Sequence, residues 1–94
     1  MHNMESIKTW RVTNRTETIT ENTRLNDNKY GGWMCVNIGT GSVVVMGYEL
    51  QPGEGLNFLD AVPAGSIWAS AIDIVVNPGG ALQLTRLQYQ PVKD

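Results

Sequence analysis

Few side chains in this 94-residue chain are of types that do chemistry. There is one histidine, His2, and one cysteine, Cys35. His2 stands at the second position, where chain ends fray. No second imidazole exists to complete a metal site or to act as base for a Ser or Cys nucleophile. Cys35 lies between Met34 and Val36, with no Lys, Arg or His adjoining it to favour a thiolate. It therefore reads as a small buried apolar side chain. The nine carboxylates are scattered, whereas glycosidase chemistry needs two held close together in a cleft. Asp73 interrupts the apolar run Ile67–Val76, and strand alternation points it to solvent or to a subunit interface. The glycine-rich stretches at 31–32, 39–41, 53–55 and 79–80 lack the spacing of phosphate-binding loops. The expectation is a protein that is not an enzyme, with no metal and no cofactor.

Composition narrows the partners. Lys and Arg number 7 against 9 Asp and Glu, a formal net charge of -2 and a pI near 5.2. A nucleic-acid partner and a polybasic membrane contact are not expected from that balance. No apolar run approaches the roughly 18 residues of a membrane helix, and the start lacks a signal-peptide pattern. A single Cys excludes an intrachain disulfide. Charge divides the chain near Gly31. Residues 1–30 carry Lys8, Arg11, Arg15, Arg24 and Lys29 beside Glu5, Glu17, Glu21 and Asp27. Residues 31–94 carry only Arg86 and Lys93 against five acids. Two parts of one domain follow: a polar N-terminal strand and arm over 1–30, and a β-sandwich core over 31–94.

The elements that would position these groups are strands. Ile7–Val12 alternates, and Thr13–Lys29 is rich in Thr, which suits strands. Only Ile19 and Leu25 are apolar in that second stretch. It reads as an exposed edge strand or an extended arm, with Glu17, Ile19 and Glu21 on one face and Thr16, Thr18 and Thr20 on the other. Beyond Gly31 the period is two and the punctuation is Gly and Pro. Trp33–Ile38 and Ser42–Leu50, joined by Gly39–Gly41, predict a hairpin. Turns are predicted at Gln51–Gly55, Pro63–Gly65 and Asn77–Gly80. A short strand is expected at Leu56–Leu59 and the longest strand at Ser66–Val76. In Ala81–Tyr89 the inward set shifts from Leu82 and Leu84 to Leu87 and Tyr89, which predicts a bulge near Thr85 and Arg86. No segment has a convincing 3.6-residue period. Six or seven short strands with regular turns indicate a small antiparallel β-sandwich, jelly-roll-like, with an extended N-terminal arm or edge strand.

The run Val36–Gly53, with Asn37, Gly39, Val43, Val45, Gly47, Leu50, Pro52 and Gly53 at its fixed positions, resembles a pattern in small accessory virion proteins of tailed bacteriophages. So does the closing strand with Leu82, Leu84 and Tyr89. The likeness covers about residues 33–90 and places no functional residue. It implies an all-β fold, a role in capsid decoration, head fibre or tail, and a place in the virion after synthesis in the host cytoplasm. Independently, a small sandwich exposes edges and apolar patches that a neighbour covers well. An extended arm can also add a strand to a neighbouring sheet. The expected partners are thus the chain itself, as a closed homo-oligomer with a trimer favoured, and other virion proteins. The candidate interface residues are Trp10, Ile19, Leu25, Trp33, Trp68 and Asp73. Two alternatives stand beside this reading. One is a carbohydrate-binding module using Trp10, Trp33 or Trp68 as a glycan platform; the other is a small phage inhibitor of a host protein.

Overall fold

Alternation of apolar and polar residues sorts the chain into two layers. The computed structural model describes residues 9–26 and 30–92. It contains eight strands: β1 (Thr9–Ile19), β2 (Thr23–Leu25), β3 (Trp33–Asn37), β4 (Val43–Val45), β5 (Tyr48–Leu50), β6 (Gly55–Asn57), β7 (Ile72–Val76) and β8 (Leu82–Val92). They form two antiparallel sheets with orders β1-β8-β3-β6 and β2-β7-β4-β5. Within those orders β1 lies beside β8, β2 beside β7, β3 beside β6 and β4 beside β5. This is a long antiparallel ribbon rolled so that its halves face each other, the jelly roll. The expected fold class is the observed one, and the polar segment 9–26 supplies an edge strand to each sheet.

The core lies between the sheets. Ile19, Trp33, Cys35, Leu82 and Leu84 from the first sheet meet Val43, Val45, Leu50, Ile72 and Ile74 from the second. Each set occupies alternate positions, as a strand with one buried face requires. The chain crosses between sheets at a corner built on Asn37, which is buried. Its Nδ2 donates to the carbonyls of Gly41 (2.8 Å) and Leu50 (2.9 Å), and its Oδ1 accepts from the Gly39 N–H (2.9 Å). The 39–42 link nests against the 77–80 turn through Thr40 N–H to Gly79 C=O (2.8 Å) and Asn77 N–H to Ser42 C=O (3.1 Å). A side chain at Gly41 would collide with the Pro78 carbonyl, so this corner is closed to anything larger than glycine.

Several expectations need correction. Trp33–Ile38 and Ser42–Leu50 do not form a hairpin, because the Asn37 corner sends β3 and β4 into different sheets. Ser42–Leu50 is itself broken into a tight hairpin. Met46 (φ 50°) and Gly47 (φ 86°) give a two-residue turn with both central residues left-handed, the geometry that matches strand twist. The predicted longest strand is cut to Ile72–Val76, since Ser66–Ala71 runs as a loop that lays Trp68 edge-on against Trp33. There is no bulge in β8: its register with β1 is continuous from Thr9–Val92 to Ile19–Leu82. The three predicted turns are present, each closed by a backbone bond: Glu54 to Gln51, Ser66 to Pro63 and Gly80 to Asn77.

Candidate functional site

The longest pairing in the molecule is between β1 and β8, eleven residues each. Neighbouring β3 pairs with β8 only between Leu82 and Arg86. Leu87 still bonds to Gly31 and Gly32, and past it Thr9–Thr13 and Gln88–Val92 run on as a two-stranded ribbon. The result is an elongated body of 58 × 18 × 17 Å with a radius of gyration of 15.8 Å, against about 12 Å for a compact chain of this length.

The apolar face changes side where the ribbon begins. Inside the sandwich, β8 buries Leu82, Leu84 and Arg86. From Leu87 along the ribbon the apolar residues other than Val92 are Trp10, Val12, Leu87, Tyr89 and Pro91, which register places together on the opposite face. Trp10 packs against Gly65 and Tyr89 against Gly31, so the 63–66 turn lies against this end of the ribbon. Val12 keeps 49% of its surface exposed.

A buried cation marks the root of the ribbon. Arg86 donates from Nη2 to Glu17 Oε1 at 2.9 Å, and its guanidinium carbon lies 4.1 Å from the centre of the buried Tyr30 ring. Carboxylate and ring face together offset the desolvation of the charge. Its Nε is buried without a hydrogen-bond partner among the described residues. Nearby, Trp33, Phe58 and Trp68 form an aromatic cluster with centroids 5.0 to 5.5 Å apart. Burial pushes the Cys35 thiol up, partly countered by a backbone hydrogen bond at Leu56, so the neutral form is favoured. Among the described residues no three His, Cys, Asp or Glu side chains converge.

The candidate interface residues do not form a common surface: Ile19, Leu25, Trp33 and Trp68 meet in and around the core, while Trp10 and Asp73 lie apart from them. Trp33 (1% exposed) and Ile19 lie in the core. Leu25 and Trp68 pack against its margin. Their apolar area is used within the chain, and Trp33 presents no face to a sugar. Trp10 lies on the ribbon. Asp73 sits on the outside of the second sheet, 2.7 Å from Arg24, with both side chains more than half exposed.

Three features were missed in the sequence. Asn37 looked like an ordinary strand residue, and its one signal is the Gly39 and Gly41 that follow. Arg86 shares the parity of Leu82 and Leu84, but the inward set expected from sequence moves to Leu87 and Tyr89 through a bulge and so passes over it. The continuous open edge of β1 is visible only once its pairing with β8 is known. No protein-family model, no curated protein and no solved structure matches the chain.

Proposed function

We propose that the protein is a non-catalytic assembly subunit that works by self-association and by protein–protein contacts. The carrying observation is the contrast between a filled interior and a long β1–β8 ribbon reaching beyond it with a half-exposed apolar face. Jelly rolls with filled cores serve as packing units in capsids and lectins, and elongated surfaces with aromatic and aliphatic groups suit protein contacts. The finer reading, an accessory component of a bacteriophage particle, rests on the resemblance of Val36–Gly53 and Leu82–Tyr89 to such proteins. The described arm pairs with its own β8; the mode of assembly we favour is therefore contact between folded subunits rather than exchange of that strand. Light scattering over a concentration series tests the proposal. A mass rising above the 10.4 kDa of one chain is expected. A species of one chain's mass at every concentration overturns it.

A further inference from the structure

A sheet edge invites pairing unless it is short, bulged, charged inward or interrupted by proline. Among the described residues three of the four sheet edges, β2, β5 and β6, are three residues long. The fourth, β1, has eleven residues, an unbroken register and no Gly or Pro; of the charges on its inward face, Glu17 is paired with Arg86 and Arg11 and Arg15 are exposed. Its partner in the ribbon is protected differently: Pro91 leaves β8 without an N–H there.

The direction of the β1 backbone follows from its neighbours. Leu87 of β8 exchanges hydrogen bonds with Gly31 and Gly32 on the β3 side, at 2.8 and 2.9 Å. By alternation the even-numbered residues of β8 address β1, and their partners there are odd-numbered. The N–H and C=O groups of Val12, Asn14, Thr16 and Thr18 therefore face outward, and all four residues are exposed.

We infer that this edge pairs antiparallel with the β1 edge of a second copy, on a two-fold axis at Thr16. The inference rests on the assembly reading above and names its surface. A two-fold strand contact is self-complementary, so each residue meets one partner twice. With the axis at Thr16, Arg15 lies opposite Glu17 of the second copy, and Glu17 opposite its Arg15. Arg11 points toward the bend at Glu21, which lies beyond the end of β1 and outside the strand register. Both charges beside the axis then meet an opposite charge, and the outward amides of 14, 16 and 18 meet 18, 16 and 14. Moving the axis to residue 15 sets Arg15 against Arg15, and moving it to 17 sets Glu17 against Glu17, both unfavourable. Axes at 14 or 18 leave Arg15 or Glu17 facing an uncharged residue. The two four-stranded sheets that carry β1 become one eight-stranded sheet, a dimer rather than the trimer expected from the arm.

Cysteine pairing reads this register directly. In Thr16→Cys the two new thiols face each other across the axis with Cα atoms about 5.5 Å apart, within disulfide reach. In Thr18→Cys the equivalent atoms are about 14 Å apart. Under mild oxidation Thr16→Cys is expected to form covalent dimer at least tenfold faster than Thr18→Cys; Cys35 is buried in both. Arg15→Glu, which leaves every described contact within the chain intact, is expected to raise the dimer dissociation constant about tenfold. Equal or absent cross-linking in a sample that light scattering shows to be oligomeric overturns the register and spares the assembly reading. A monomeric wild-type chain overturns both.

Discussion

Strands β1 and β8 run through both the sandwich body and the ribbon, and in the two regions they solve opposite problems. In the body, Ile19, Leu82 and Leu84 face a second sheet, and their alternation satisfies one buried surface. In the ribbon there is no second sheet, and Trp10, Val12, Leu87 and Tyr89 collect on the other face. Glu17 and Arg86 stand at the junction, where the inward set stops being aliphatic. The difference teaches that one strand can change its covered face without a bulge. The chain needs only to run out from under one layer and beneath another segment, here the 63–66 turn.

The largest expected effect tests the two regions with the same truncation. Trp33→Ala removes the centre of the aromatic cluster and is expected to cost about 3–5 kcal/mol in urea unfolding, a large share of a small domain's stability. Trp10→Ala, on the half-buried ribbon, is expected to cost about 1 kcal/mol. Equal costs would erase the distinction between body and ribbon.

The junction comes next. Glu17→Ala leaves Arg86 buried and without its carboxylate. Complete burial of such a pair would make the loss about 3–5 kcal/mol; Glu17 is 31% exposed, so about 2 kcal/mol is expected on that scale. Arg86→Met in the same background should recover part of it, since an apolar chain of similar length needs no partner. A Glu17→Ala protein as stable as wild type would show that the ion pair holds nothing.

Cys35 sharpens the account of the body by its pH dependence. Its folded thiol keeps a proton that the unfolded thiol releases at the ordinary value. Below that value both states are protonated and the favourable term is fully present. As pH rises the unfolded state binds fewer protons, so stability falls until the folded pKa is passed. From about pH 8.5 to 9.5 the wild type should lose more stability than Cys35→Ala. Parallel unfolding curves for the two proteins would contradict the burial.

The smallest effect belongs to the outer surface. Arg24 and Asp73 make a short ion pair, but their side chains are 62% and 58% exposed. Asp73→Asn should change the urea midpoint by no more than about 0.5 kcal/mol equivalent. A larger loss would mean that β2 is held by this pair rather than by Leu25.

Much of this was legible because each signal was local. Pro52–Gly53 and Pro78–Gly79 announce turns by their own backbone preferences, and period-two alternation announces strands. The all-β class and the sandwich follow from these alone. Which strands pair is a long-range property. The Asn37 corner acts through a side chain reaching Leu50, thirteen residues on, and no spacing rule shows it. The Met46–Gly47 turn hid because Met seldom adopts a left-handed backbone. Of the candidate surface, the Thr-rich alternation of 13–21 was readable, with its two faces. Its open side was not, because that depends on Leu87 bonding to Gly31 and Gly32 instead of to β1.

Amide hydrogen exchange along β1, followed residue by residue at low and high protein concentration, tests the central claim most directly. The odd-numbered amides from Arg11 to Ile19 bond to β8 and should be protected at both concentrations. Those of Asn14, Thr16 and Thr18 should exchange freely when dilute and slow at least tenfold when concentrated. Exchange of the even-numbered amides that ignores concentration would contradict a protein whose work is done at this edge.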